Sequence, residues 1–429
     1  MSVYLVSFLV LSPSVTKGQT REGTLFISGV VTDQSTGEVL PFATVSLKGT
    51  SIGTIANADG QFGFQAPNRP DGVLICSFIG YAVYEIAVGE IGSDPLTIAL
   101  EPSFIELTEL IVRPISAEEL LRRAIRKIPE NYATTAFESK AYYREKIAEN
   151  TQPIAYAEGY FKSYYPDYQT DSSQHQLLLY RNADQLYGID FMLKKRLKKE
   201  AKKQKKAEKK GEEYEPEFDE GMVQSALGGP EGVIEGDPVL SLEHFLDTTL
   251  FKKFRYEYAG ATKYLGREMV VVSFESKGTV EFVKSSGTIY LDHESDAIAA
   301  IEGKGKFVVP AWARPILFAA GFAVRKPFFE QSVRYQFLNG KWYPKYFYAL
   351  GNVGLTKRYL FASNDKSDFL YEQVFTMNEI LTEGASPIPK EFQFDTEEEM
   401  EEQVHADAAY DWSSISTLPP EKLEPAPSQ

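Results

Sequence analysis

The sequence predicts a mainly β protein in two unequal parts. A small β-sandwich comes first, then a larger curved antiparallel β-meander, half-barrel or barrel-like, with a short connecting helix between them. Three observations carry this. Turn residues recur at roughly ten-residue intervals over the first hundred positions, between short β-branched and aromatic runs. Longer alternating runs follow from residue 136, with Asn339-Gly340 between two aromatic-rich ones, the pair that best tolerates a two-residue hairpin. Aromatics make up 13% of the 429 residues, as 28 Phe, 25 Tyr and 3 Trp, a supply suited to cross-strand packing.

The chain opens on an apolar run, Val3 to Leu11, then Pro13 and the polar Gln19-Thr20. That is the shape of a secretory signal peptide, assigned to residues 1–20. The first basic residue is Lys17, so the basic leader is missing and a longer natural start is expected. The expected compartment is therefore outside the cytoplasm: periplasm, outer-membrane-associated or cell surface. A second apolar run, Ala311 to Val324, is interrupted by Arg314, Pro315 and Gly321 and is too short to span a bilayer. No transmembrane span is expected in the mature chain.

Composition removes several chemistries. The single cysteine, Cys76, excludes a disulfide scaffold, cysteine-rich zinc modules and Cys-ligated iron–sulfur clusters, and reads as a small core residue of a strand. Four histidines, none in a paired motif, leave little for a metal, and no cofactor is expected. A net charge of -15 argues against nucleic acid as a partner.

Residues 24–102 form the sandwich. Leu25 to Val31 runs to a turn at Asp33-Gln-Ser-Thr-Gly37, Ala43 to Lys48 follows Pro41, and Gln61 to Gln65, Val73 to Phe78 and Leu96 to Leu100 complete the set. Asn57-Ala58-Asp59-Gly60 lacks the full ligand series and terminal Glu of a calcium loop and reads as a β-turn. The residues Ile27-Ser-Gly-Val-Val-Thr-Asp33, Gly37 to Val45, Lys48-Gly-Thr50, Gly53-Thr54, Ala58-Asp-Gly-Gln-Phe62 and Phe78-Ile-Gly-Tyr81 resemble the carboxypeptidase-regulatory-like domain. The resemblance implies a transthyretin/Ig-like sandwich, common at the front of Bacteroidota outer-membrane and cell-surface proteins, and an accessory rather than catalytic module. None of His175, His244, His293 or His405 has Glu three residues on, as a zinc carboxypeptidase motif would need. His244 and His293 have Asp there (Asp247, Asp296), read as coincidence.

Residues 103–135 form a linker and helix. Glu106 to Val112 resembles the segment ending this sandwich in TonB-dependent receptors. Only about 315 residues follow it, without the strand series of a large barrel, so a complete receptor is not expected. Ser116-Ala-Glu-Glu119 is a capping box, Leu120, Leu121, Ala124, Ile125 and Ile128 form an apolar stripe, and Pro129 ends it.

Residues 136–383 form the larger β domain. Eleven candidate strands run from Ala136–Ile147 to Tyr371–Asn378, with Gln176–Tyr187 and Lys357–Phe361 among them, joined in sequence order as a meander. Tyr142-Tyr-Arg-Glu145, Gly228-Gly-Pro230, Gly287-Thr-Ile-Tyr-Leu-Asp292 and Gly340-Lys-Trp-Tyr-Pro344 resemble uncharacterised Bacteroidota domains that follow the same sandwich. The last two also resemble the curved sheet of LolA-type lipoprotein carriers.

Candidate chemistry is sparse. Tyr142-Tyr143-Arg144-Glu145 reads as a surface strand with one inward Tyr, rather than a buried ion pair or an acid/base pair. Glu275, Glu281, Asp292, Glu294 and Asp296 lie near one another, but nothing singles out two as a hydrolytic pair. Tyr156, Tyr160, Phe161, Tyr164, Tyr165 and the aromatics from Phe328 to Tyr348 read first as core, with a groove for sugar rings or acyl chains as the alternative.

The most unusual segment is the insertion 192–220. Lys194 to Lys210 holds 11 basic and 2 acidic residues, a net +9 that leaves -24 over the rest of the chain. A solubilising insertion is the plain reading. The functional one is contact with an anionic surface through Lys194, Lys195, Arg196, Lys198, Lys199, Lys202 and Lys203. Residues 384–429 form a Pro- and acid-rich tail, with Trp412 expected to dock back on the sheet.

With no common catalytic motif, the expected function is that of a non-enzymatic exported envelope protein, a binding or assembly module. An envelope protein, lipid or glycan is the expected partner, with peripheral membrane contact. A lipid or lipoprotein carrier and, behind it, a carboxylate-dependent hydrolase of envelope polymers are the alternatives.

Overall fold

The computed structural model describes residues 23–103, 115–168, 170, 172–183, 186–192 and 229–405 except 397, with scattered positions in 198–209 and 411–418. The signal-peptide expectation, the Glu106–Val112 segment and Gly228 lie outside the described residues.

Seven strands build the sandwich: β1 (Thr24–Asp33), β2 (Thr44–Leu47), β3 (Gly53–Ile55), β4 (Gln61–Pro67), β5 (Val73–Ser77), β6 (Tyr84–Ala87) and β7 (Leu96–Leu100). They form a three-stranded sheet β4-β1-β7 facing a four-stranded sheet β3-β2-β5-β6. Alternation along β1 sends Ile27 and Val31 into a core with Phe62, Phe64, Leu74 and Ile98. Cys76 is fully buried in that core, and burial pushes its thiol up to about 12, so it stays an inert hydrophobe. Asn57 makes the expected turn: its side-chain oxygen accepts from the amides of Asp59 (3.0 Å) and Gln61 (2.8 Å), and Gly60 supplies φ +72°.

Ser116 caps helix α1 (Ala117–Arg126), its hydroxyl accepting from Glu119 N at 3.1 Å. Leu120, Leu121 and Ala124 are buried, and a short α2 (Ile128–Asn131) carries Pro129 in its first turn.

Ten strands form one antiparallel sheet: β8 (Phe137–Glu149), β9 (Gln152–Tyr165), β10 (Gln174–Arg181), β11 (Phe254–Tyr264), β12 (Arg267–Ser276), β13 (Val283–Asp292), β14 (Ile298–Phe307), β15 (Phe322–Leu338), β16 (Lys341–Lys357) and β17 (Asp365–Leu381). The order is β10-β9-β8-β17-β16-β15-β14-β13-β12-β11, with β10 and β11 at two separate edges, so the sheet is not a closed barrel. It is also not one meander in sequence order. β8 to β10 run outward to one edge, the chain crosses to the far edge, and β11 to β17 return until β17 pairs with β8. Lys357–Phe361 is not a separate strand: Lys357 ends β16 and the rest belongs to the β16–β17 hairpin tip. β10 stops at Arg181, short of Tyr187. Asn339 and Gly340, at φ +50° and +81°, join β15 to β16 as expected.

The sheet curls strongly. Tyr264 on β11 donates to the Tyr335 carbonyl on β15 at 3.2 Å, across three intervening strands. In a flat sheet those strands would stand about 19 Å apart.

Both faces are covered. The inner face packs against α1, α2, the helices α3 (Gly229–Glu235) and α4 (Pro238–Ser241), and Phe245, Leu246 and Phe251. The sandwich covers part of the outer face. Phe42 stacks near Tyr346 and Tyr348 (5.7 and 4.9 Å), Arg334 donates to the Phe42 carbonyl, and Ser51 bonds Ile380 through both its N–H and its C=O (2.8 and 2.9 Å). Segment 386–405 straps edge strand β10, with Phe394 N donating to the His175 carbonyl and His405 N to that of Leu177. Trp412 does pack back, under the Arg181 guanidinium at 4.3 Å. No helix is long and apolar enough to cross a membrane among the described residues.

Candidate functional site

The inner face is filled at the end where α1 and α2 lie and open at the other. Toward the β12–β13, β14–β15 and β16–β17 connections, six consecutive strands line one cavity of about 270 Å³: Phe274, Val283, Gly303, Phe329, Ala349 and Tyr371, one from each of β12 to β17. A second chamber of about 390 Å³, walled by Val309, Val324, Phe328 and Val353, adjoins it, with Phe307 and Tyr371 common to both.

The groove exists because the strands place glycine and alanine on this stretch of the inner face. A Cβ on Gly351 would fall 1.9 Å from the Tyr371 ring, and one on Gly305 would fall 2.7 Å from the Phe329 ring. The missing side chains let both rings lie against the backbone, making an aromatic floor with room above it.

His244, Ser285, Lys304, Glu330 and Gln331 supply the polar part of the lining, and a buried carboxylate lies nearby on the same face of the sheet. Glu145 on β8 pairs in register with Gln373, two residues along β17 from Tyr371 on the same face. It is 2% exposed; Tyr143 donates to its Oε2 at 2.6 Å, and its buried Oε1 has no partner among the described residues. Burial raises its carboxyl to about 7, and the Tyr143 hydrogen bond only partly offsets that.

The surface-strand reading of Tyr142-Tyr143-Arg144-Glu145 is thus corrected: all four are buried. Tyr142 and Arg144 face the opposite way, toward Glu158 (2.8 Å) and Glu372 (2.8 Å). A sheet covered on both faces buries both parities of a strand, so Arg144 is paired with Glu372 and Glu145 is held by the Tyr143 hydroxyl, neither being solvated.

Two other buried ionisable groups, Asp237 and Lys345, are built into the packing. Asp237 caps α4 through Val239 N (2.9 Å) and accepts from Tyr168 and Tyr335, and burial raises its carboxyl to about 6. Tyr132 stacks on Tyr168 at 4.8 Å, closing an aromatic cage that ties the α3–α4 segment to the sheet. Lys345 donates to the Met377 carbonyl (2.6 Å) and toward that of Ser51 (3.3 Å), and burial lowers its ammonium to about 7.

Of the five sequence-grouped acids, Asp292, Glu294 and Asp296 are held by bases rather than by another acid, and Glu275 and Glu281 stand exposed. Arg267 binds Asp292 (2.6 Å) and Glu294 (2.7 Å), and Arg123 and Lys127 both bind Asp296 (2.8 Å). His244 lies 3.7 Å from Glu281 and Arg255 3.7 Å from Glu275. No group of three metal-ligating side chains occurs among the described residues. Of the basic block, Lys194, Lys195, Arg196 and Lys199 lie outside the described residues. Lys198 and Lys202 are exposed, and Lys203 is half-buried. Most of the singled-out aromatics, such as Phe161, Tyr335, Trp342 and Phe347, are core, whereas Phe328 and Phe329 line the groove.

A transthyretin-like sandwich against a curled open sheet with a groove defines the class of molecule: a two-part β protein with a cavity in its larger part. Comparison with known proteins adds to the first part. Residues 27–112 match the model of the CarboxypepD_reg-like domain. A TonB-dependent receptor, P3, from Formosa agariphila is 30% identical over 108 residues, 25% of this chain and 10% of the receptor, so the match spans a small fraction of that relative. Among solved structures, a protein of unknown function from Bacteroides fragilis, described as a candidate membrane-associated protein, aligns over 83% of this chain and 98% of its own at 13% identity and TM-score 0.15. A DUF1329 family protein from Desulfovibrio piger aligns over 63% and 93% at 8% identity and TM-score 0.22. At such scores neither structural likeness bears on the fold.

Proposed function

We propose that the protein is a non-enzymatic binding module of the bacterial cell envelope, whose larger sheet holds the apolar chain of a lipid or lipidated partner in its groove. The observation that carries this is the pair of contiguous chambers. The second is walled by aliphatic and aromatic side chains apart from Asn352. The first mixes Phe245, Phe274, Val283, Phe307 and Phe329 with His244, Ser285, Lys304, Glu330 and Gln331. Together the two, about 270 and 390 Å³, reach the size of small-molecule sites, about 300–1,000 Å³. The CarboxypepD_reg-like domain and the receptor match support an exported, envelope-associated setting, periplasmic or at the outer membrane. The non-enzymatic part is supported by the acids engaged with bases. Glu145, neutral in much of the molecule near pH 7, would suit the polar end of a ligand better than a fixed negative charge would.

Native mass spectrometry of the gently purified protein tests this. A lipid-mass adduct on the wild type is expected, and it should disappear in Ala349→Trp, which fills the groove from its floor. A wild type that carries no adduct and takes up none from detergent-dispersed phospholipid would overturn the reading.

A further inference from the structure

Beyond the groove itself, two hairpin tips at the open end of the sheet form a surface of their own. The β14–β15 connection contains a short helix, α5 (Ala313–Ala319), with no buried residue. The β16–β17 hairpin lies beside it: Arg358 N donates to the Gly321 carbonyl at 2.7 Å, and the Arg358 guanidinium lies 5.8 Å from the Phe318 ring. Between them the tips present Phe361 at 100% exposure, Leu360 at 93%, Phe318 at 71%, Trp312 at 69% and Ile316 at 62%.

Single exposed apolar residues are ordinary, but five converging on adjoining tips are not. The charge around them is mostly positive, with Arg325 paired to Asp368 at 3.0 Å. Segments 306–327 and 355–366 together hold seven Lys and Arg and one acid, Asp365, in a chain whose net charge is -15. We propose that this tip docks on the surface of a lipid bilayer carrying anionic headgroups, with its five apolar side chains entering the acyl boundary.

Three observations favour a bilayer over a protein. Leu360 and Phe361 project almost free of neighbours, which suits a fluid medium that needs no matching shape. Trp312 and Tyr359 sit among the aliphatic residues and bases, the combination that settles at the level of headgroups. The second groove chamber begins directly behind the tip, its wall running through Val308, Val309, Pro310 and Val324, so a docked tip would set the groove mouth against the acyl region.

The test is flotation with vesicles of phosphatidylethanolamine and phosphatidylglycerol, read beside the emission of Trp312. The wild type should float, and brominated acyl chains should quench an emission component that Trp312→Phe removes. Leu360→Ser/Phe361→Ser should lower the bound fraction by about tenfold or more. Because both side chains are solvent-facing, this variant should melt with the wild type. It keeps the Lys194–Lys210 block, so binding that survives the double change would assign membrane contact to the block and overturn the tip. A wild type that fails to float would overturn it too, as would a concentration-dependent dimer abolished by Phe361→Ser. The lipid-adduct measurement is independent of flotation, so loss of one leaves the other standing.

Discussion

The two ends of the ten-stranded sheet solve the same problem in opposite ways. At the end bearing the Asn339-Gly340 turn, side chains from helix, sheet and sandwich interlock: Trp342 is wholly buried, Tyr132 donates to the Ile298 carbonyl at 2.6 Å, and Ser51 ties the sandwich to β17. At the far end the same strands continue past their covering. Small residues replace large ones on the inner face, and aromatic side chains stand exposed on the connections. One continuous sheet thus carries a rigid anchor at one end and an unfilled binding surface at the other. Stability and ligand contact can then be altered separately.

Mutations should divide along that line. The largest effect is expected at the closed end: Trp342→Ala removes a fully buried ring and should cost about 3–5 kcal/mol, seen as a lower urea midpoint with an unchanged slope. An effect under about 1 kcal/mol would mean that this end is not the anchor. Glu145→Gln probes the border between the ends. The folded carboxyl lies near 7 against an ordinary 4.5, so the folded protein binds the extra proton, and stability falls as pH rises through that window. The amide should therefore melt like the wild type at pH 4 and be more stable by about 2–3 kcal/mol at pH 8. Equal melting at both pH values would show that Glu145 is not desolvated as its burial implies. The smallest effect is expected from Ser51→Ala, which removes the hydroxyl's bonds to Ile380 and should cost about 1 kcal/mol, measured by thermal melting. A separate, earlier unfolding step of the sandwich in that variant would sharpen the point that Ser51 holds the two parts together.

How much of this was readable beforehand depended on where water lies. The sandwich was legible because its turns need particular residues, such as Asn57 and Gly60, and because β1 alternates cleanly. Tyr84–Ala87 was missed because only Ile86 and its neighbours half-bury there. In the large sheet, strand positions were legible but strand order was not. Local pattern says nothing of a connection that crosses the full width between β10 and β11. The burial of Arg144 and Glu145 was misjudged because alternation assumes one wet face, the usual case for antiparallel sheets, and here both are covered. The groove left only a faint trace, the glycines at 303, 305 and 351, which become meaningful once the rings opposite them are known. The apolar stretch Ala311 to Val324 was weighed along the chain, as a membrane span. Its partner, Leu360-Phe361, is brought beside it only by the fold.

The pairing of β17 with β8 also sets a timetable. Arg144 and its partner Glu372 are 228 residues apart, and at translation rates of about 5–20 residues per second β8 waits roughly 10–50 s for the strand that covers its edge. Through that interval β8, β9 and β10 can form a small sheet whose β8 edge has no neighbour, a template for pairing with any other nascent chain. The tail that straps β10 arrives later still, after β17. A truncation that removes β17 should therefore yield aggregate rather than a smaller folded sheet.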